Sequence, residues 1–270
     1  MAIFKMGRNK MIDIEKAEKA FREYIKAYNP EDEKIKIKIG HIKRVEEQSK
    51  WIATSLGLDE ENILLAKLIG LLHDIGRFEQ VRRFHTFLDK ISVNHAEEGN
   101  RVLFEQGFIR EFVTDPQYDD IIRKAIGNHN KLQIEDGLEE RELLHAKIIR
   151  DADKSDIFPT ILATGLQGNI AFSDRDTSKE TITSVVFEKF MRQEPISYGE
   201  IQTNIDHMVI WITYIYDINF GVTLQKIKEG NYVSRILHMT DYEDENTKGK
   251  IRQIENKANR DIEEMIKKDE

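Results

Sequence analysis

Residues 63–76 read Ile-Leu-Leu-Ala-Lys-Leu-Ile-Gly-Leu-Leu-His-Asp-Ile-Gly. Apolar residues occupy nearly every face of the helix that such a run predicts, so His73 and Asp74 at its end are expected to be buried. A carboxylate taken out of water without compensation is costly, and neutralising it by protonation carries its own cost. A divalent cation relieves both, because imidazole nitrogen and carboxylate oxygen are standard metal ligands. A buried His–Asp hydrogen bond closing the helix is the alternative that this stretch alone leaves open.

Working outward, Asp59 is placed to cap this helix. A preceding helix is expected from near His41 through Val45, Trp51 and Ile52 to a stop at Gly57. Ile12 to Tyr28 has apolar groups at helical spacing and ends at Asn29-Pro30. Lys34-Ile35-Lys36-Ile37-Lys38 alternates like a strand, but is too isolated to build a sheet. Further helical periods cover 97–106, 118–128, 139–158, 178–192, 200–218 and 249–268. The last places Ile251, Ile254, Ala258, Ile262 and Met265 in one narrow stripe, suited to packing on the body of the chain or on a second copy in a homodimer. Only 4 prolines and 15 glycines interrupt 270 residues, which favours helices throughout. The expectation is an all-α fold: an N-terminal helix in 1–35 packed on a core over 36–160, and a helical C-terminal extension over 161–270.

Composition narrows the function. The absence of cysteine excludes disulfides, thiolate metal sites and cysteine nucleophiles. A formal charge of -8 argues against general nucleic-acid binding, which rests on excess Lys and Arg. A small phosphorylated substrate held by local basic groups remains compatible with it. The N-terminus lacks the apolar core of a signal peptide, and the strongest apolar run, Met208 to Tyr216, is too short to span a bilayer. A soluble, cytoplasmic protein without a membrane partner is expected.

The other histidines shift the reading of His73-Asp74 toward a metal. His41 lies in Ile39-Gly40-His41-Ile42, His95 in Val93-Asn94-His95-Ala96, and His129 in Ile126-Gly127-Asn128-His129-Asn130. Each has apolar neighbours and a small or polar residue beside it. Carboxylates then recur in Ile148-Ile149-Arg150-Asp151-Ala152-Asp153-Lys154-Ser155-Asp156. Asp153 shares a helical face with Ile149 and Ile157, but Asp151 follows Ile148 at an equivalent spacing, so spacing does not separate the two.

The order His41, His73-Asp74, Asp153, with Leu71-Leu72-His73-Asp74-Ile75-Gly76 and Asp151-Ala152-Asp153-Lys154, resembles the HD superfamily of metal-dependent phosphohydrolases over roughly residues 36–160. The resemblance implies an all-α HD core in which His41, His73, Asp74 and Asp153 hold a first metal. Asp74 would bridge to a second metal completed by His95 and His129. It favours Asp153 over Asp151, because the family's terminal aspartate follows Ala and precedes a basic residue. The chain departs from the HD-GYP subgroup, with His129-Asn130 where that subgroup has two histidines and no Gly-Tyr-Pro signature, which argues against cyclic di-GMP as substrate.

What the resemblance implies chemically is hydrolysis of a phosphomonoester or phosphodiester, nucleotides included, by a water activated on one or two Mn, Fe, Mg or Zn ions. Arg77, Lys131 and Lys154 are the cations expected to face the phosphate, with His85 in a basic, aromatic segment at the pocket mouth. His145, His207 and His238 match no motif position, and Trp211, Tyr214, Tyr216 and Phe220 are expected to be core packing. Two other classes stay in view: a di-iron oxygenase resembling inositol oxygenases, and a catalytically silent, metal-holding regulatory module. Nothing in the chain points specifically to a (p)ppGpp hydrolase.

Overall fold

The computed structural model describes residues 12–166, 173 and 175–269. Among these every regular element is helical, as the sequence led us to expect. The chain divides into two compact units at Asp153–Lys154. The division falls inside a helix, which is why no change in composition announces it.

The first unit begins with α1 (Ile14–Ile25), capped by Asp13 and packed on the segments 60–72 and 109–112. Its scaffold is the pair α2 (Glu33–Ser55) and α3 (Glu60–Leu72), joined at Gly57 with φ +70°. Here the structure corrects the sequence reading, because Lys34–Lys38 is the first turn and a half of α2 and not an isolated strand. Asp32 caps it, and Lys36 pairs with Glu33 at 3.0 Å. The Ile–Lys alternation serves two helical faces, since Ile35 is 2% exposed and Ile37 59%. His41 consequently sits in mid-helix instead of at a helix start.

Asp59 caps α3 as expected, but α3 ends at Leu72, with His73 as its C-cap. A new helix, α4 (Gly76–Phe84), starts after one turn. Two glycines make this arrangement possible. A Cβ at Gly70 would lie 2.8 Å from Glu46 Cα, so glycine is what lets α2 and α3 cross closely. A Cβ at Gly76 would lie 2.2 Å from His95 O and 2.4 Å from Gly99 N, and its absence lets α4 press against α5 (His95–Asn100).

The periodic segment expected at 97–106 is α5 followed by a π-helical turn over Arg101–Glu105. The unit continues with α6 (Ile109–Phe112), α7 (Asp119–Asn128) and α8 (Glu140–Ser155). The expected single helix over 139–158 is two, α8 and α9 (Ile157–Thr164), parted at Asp156.

The second unit holds the end of α8, then α9, α10 (Ser184–Arg192), α11 (Asn204–Thr213), α12 (Gly221–Glu229), α13 (Tyr232–Leu237) and α14 (Glu245–Asp269). Its core gathers Phe158, Phe190, Ile205, Trp211, Ile212 and Ile254, with Tyr214 and Tyr216 packed against it. Trp211, Tyr214 and Tyr216 are therefore core packing, as expected. The stripe on α14 lies in this same core: Ile251, Ile254, Ala258 and Ile262 are buried. A buried Lys257–Asp261 pair at 2.8 Å, with Tyr216 Oη donating to Asp261 at 2.6 Å, anchors α14. No described helix is long and apolar enough to cross a membrane.

Because Gly76 faces backbone rather than a flexible side chain, its replacement cannot be absorbed by a rotamer change. Gly76→Ala is expected to destabilise the first unit by about 1–3 kcal/mol, read as a lower midpoint in thermal unfolding followed by circular dichroism. An unchanged midpoint would show that α4 and α5 can separate freely.

Candidate metal centre

Six side chains from five segments converge in the first unit. α2 supplies His41, the α3–α4 turn His73 and Asp74, α5 its first residue His95, the end of α7 His129, and α8 Asp153. They form two halves about Asp74. Its Oδ2 lies 3.5 Å from His41 Nε2 and 3.7 Å from His73 Nε2, while Asp153 Oδ1 lies 3.1 Å and 3.7 Å from the same two nitrogens. Its Oδ1 lies 3.5 Å from His95 Nε2 and 3.8 Å from His129 Nε2. The geometry also separates the two aspartates that spacing could not: Asp153 reaches His41 and His73. Asp151 is buried on the same helix.

The histidine tautomers follow from their other ring nitrogens. His73 Nδ1 donates to Gly70 O at 2.8 Å and His129 Nδ1 to Ile126 O at 2.7 Å, since a carbonyl can only accept. His95 Nδ1 donates to the Asp89 carboxylate at 2.6 Å. In the neutral rings each Nε2 is then a bare lone pair. Yet His95 Nε2 and His129 Nε2 face each other at 3.0 Å, and His73 Nε2 and His41 Nε2 at 3.3 Å. Within the second half no hydrogen is left to place between the nitrogens. Asp74 Oδ1, buried beside them, accepts no hydrogen bond. Converging lone pairs with an orphaned carboxylate oxygen are a donor set that fits a cation, with the outer ring nitrogens tied down as metal-binding histidines usually are.

Electrostatics keep four of the donors, His73, Asp74, His95 and Asp153, deprotonated. Burial lowers the pKa of His73 against the pull of Asp74. Burial also pushes His95 down to about 4, although Asp89 opposes it. Burial works to raise the Asp74 carboxyl, but Lys38 and His73, with His129 and His95, hold it well below the usual carboxylate range. Asp153 is held down in the same way by His41 and His73. Metal ligands must be in this state to bind.

Several positioning residues carried no sequence signal. Asp89 takes His95 with one oxygen and Arg77 and Gln80 with the other, at 2.9 Å and 2.8 Å. Arg150, buried on α8, donates to the carbonyls of Asn128 and Lys131 at 3.1 Å and 2.5 Å and so fixes the segment that presents His129. Lys38 lies 2.6 Å from Asp74 Oδ2. It was hidden because its helix read as a strand.

Each of the cations expected at a phosphate has a partner of opposite charge in this structure. Arg77 is beside the cluster but is bound to Asp89, Gln80 and Phe87 O. Lys131 pairs with Glu135 at 2.5 Å, and Lys154, in the second unit, pairs with Asp217 at 3.1 Å. Opposite charges within the same local segments or unit captured each of them. His85 is exposed and ends α4 in the left-handed region, φ 55°. His145 is buried against Asn62 and His238 pairs with Glu255, which fits structural roles. A separate cavity of about 680 Å³, lined by Tyr24, Tyr28, Glu79, Arg82 and Phe108, includes none of the six donors. Its buried Glu79 is already satisfied by Tyr28 and Arg82.

Residues 39–157 match the family model of the HD domain. The chain carries an HD domain over that span. Proteins of this family bind divalent metals, and the matched span contains all six donors. No curated protein and no solved structure matches the chain significantly.

His95, at about 4, and His145, pushed down to about 3 by burial, are neutral in the fold at pH values where an unfolded histidine is protonated. The unfolded chain then binds more protons, so stability is lost as pH falls from about 6.5 through these values. Glu46, pushed up to about 7 by burial, has the opposite sign, taking up its proton in the fold first. In a Glu46→Gln background, urea unfolding of chelator-treated protein should show stability falling by roughly 1.4 kcal/mol per pH unit for each histidine. A flat profile between pH 6.5 and 4 would refute the neutral assignment.

Proposed function

We propose that this protein is a phosphohydrolase that cleaves a phosphomonoester or phosphodiester with water, using divalent cations held at the cluster. His41, His73, Asp74 and Asp153 would hold one cation. Asp74, His95 and His129 would hold a second. The observation that carries this reading is the 3.0 Å approach of two histidine nitrogens whose hydrogens are committed elsewhere. A divalent cation bound to such a set brings the pKa of a coordinated water toward neutrality and offsets charge on phosphoryl oxygens.

The chain's own contribution is positioning and a low-dielectric setting, which is most of what phosphoryl transfer requires. His73, Asp74, His95 and His129 are buried, so the donors are shielded from bulk water and keep one arrangement. Gly70 O, Ile126 O and Asp89 fix the ring tautomers. Arg77 holds Asp89 and also lies 3.5 Å from Asp74 Oδ1, so one guanidinium braces the second-half histidine and the central carboxylate together. In the hydrolysis the water oxygen bonds to phosphorus while the ester P–O bond breaks, releasing phosphate or a monoester and an alcohol. The all nitrogen and oxygen donor set suits Mn, Fe, Mg or Zn.

Elemental analysis of protein purified without chelator, alongside a panel of nucleotides and simple phosphoesters, tests this reading. Metal with phosphate release is expected. Iron with dioxygen consumption and no phosphate release would instead make the chain an HD-type oxygenase. Inertness with metal bound would make it a regulatory module.

Asp74→Ala and His73→Ala are each expected to remove phosphatase activity entirely while helical circular dichroism persists. Full turnover in either would end the assignment of the centre. Loss of His129 should remove one metal and spare the other, and Asp89→Asn should weaken that same second metal by roughly 10–100-fold. Unaltered metal stoichiometry in His129→Ala would eliminate the two-metal arrangement.

A further inference from the structure

Arg77, Lys131 and Lys154 are committed to carboxylate partners, which leaves the question of which cation meets the substrate. Lys38 stands one helical turn before His41 on α2 and therefore on the same face. Its Nζ lies 2.6 Å from Asp74 Oδ2 and over the Phe87 ring at 5.4 Å. Exposure is graded across the cluster. The His73 and Asp74 side chains are 0% and 3% exposed, whereas Lys38 and Asp153 are 16% and 28%. Lys38 thus lies at the part-exposed edge of the half of the cluster that holds His41 and Asp153.

We propose that Lys38 is an exchangeable cation. It neutralises Asp74 in the metal-free protein, yields that oxygen when a divalent cation is bound, and then binds an oxygen of the substrate's phosphoryl group. This rests on the phosphohydrolase reading above. The exchange follows from charge: an ammonium and a metal ion on one carboxylate oxygen repel strongly in a poorly solvated site. Lys38 can leave because its ammonium sits on a flexible four-carbon stem and pairs with one carboxylate, whereas one terminal nitrogen of Arg77 is tied to three acceptors. It does not stray far, since the Phe87 face attracts a cation and holds it at the mouth. A displaced ammonium there lacks an anion, and a phosphoryl group bound at the cluster supplies one.

The role produces two effects of opposite sign in one variant. Mn²⁺ is titrated by calorimetry into chelator-treated wild type, Lys38→Met and Lys38→Arg, and inorganic phosphate is then titrated into each Mn²⁺-loaded protein. Lys38→Met keeps the stem and removes the charge. It should bind Mn²⁺ roughly ten-fold more tightly and phosphate roughly ten-fold more weakly, the scale of one charged hydrogen bond. Lys38→Arg should restore phosphate binding. Lys38→Gln serves as the second uncharged variant should the methionine lower the thermal midpoint.

Phosphate affinity equal to wild type in the uncharged variants overturns the proposal, as does Mn²⁺ affinity that is unchanged or weaker. A Mn²⁺-loaded wild type that binds no phosphate overturns it too. Wild type that binds Mn²⁺ and phosphate yet hydrolyses no phosphoester removes the hydrolase reading and leaves the exchange standing. Hydrolysing wild type with unaltered phosphate binding in Lys38→Met removes the exchange alone.

Discussion

One buried carboxylate, Asp74, faces two histidine pairs with its two oxygens, and the first unit is arranged around that demand. Oδ2 belongs with His41, His73 and Asp153, and Oδ1 with His95 and His129. A carboxylate at 3% exposure must be compensated. The chain answers with histidines from four separate segments and two cations, Lys38 and Arg77, at its two oxygens. No single element could meet this, so the close packing of α2, α3, α4, α5 and α7 is what places the donors. Gly70 brings His41 within reach of His73, and Gly76 brings His95 within reach of Asp74. The glycines of the motif are thus steric, admitting neighbouring backbone where a methyl group would collide.

The donors were legible in the sequence because each carried a local mark. His73-Asp74 ends a run too apolar to leave it exposed, and the remaining histidines sit among apolar neighbours. Asp153 over Asp151 was legible only through resemblance, since both spacings suit an inward face. The supports were not legible. Asp89 lies in a loop with no periodicity, and its value comes from reaching His95, Gln80 and Arg77 together. Arg150 looked like one more charge in a helix, yet it satisfies carbonyls about twenty positions earlier in the chain.

Lys38 shows how a local pattern misleads. Five alternating residues fit a two-residue period, yet on the helix Ile35 and Ile37 fall on different faces, one buried and one exposed. What decides is the Asp32 cap and the continuation of α2 for the rest of its 23 residues. Arg77, Lys131 and Lys154 show the converse limit. A cation next to a motif residue in sequence has a definite charge but an undetermined partner, and Glu135 and Asp217 took two of the three. The second unit has a well-formed core and buried polar anchors, but its buried Lys257 and Asp261 are mutually satisfied and leave nothing aimed at a ligand.

Two features of the cluster carry costs that no hydrogen bond among the described residues offsets. Paired lone pairs at 3.0 Å repel, and the orphaned Asp74 Oδ1 has lost water without gaining a hydrogen bond. Such costs persist only because the surrounding packing over-determines the geometry. Gly70 O and Ile126 O, both on helices, and the braced Asp89 hold the rings whether or not a cation is present. A ligand that binds the folded chain and not the unfolded one adds its binding energy to stability. His73, Asp74, His95 and Asp153 are held deprotonated in the fold, so that energy is not spent on removing their protons. The same over-determination explains why the movable charge is a lysine: its ammonium ends a flexible stem, whereas the rings of His73, His95 and His129 are each tied by Nδ1.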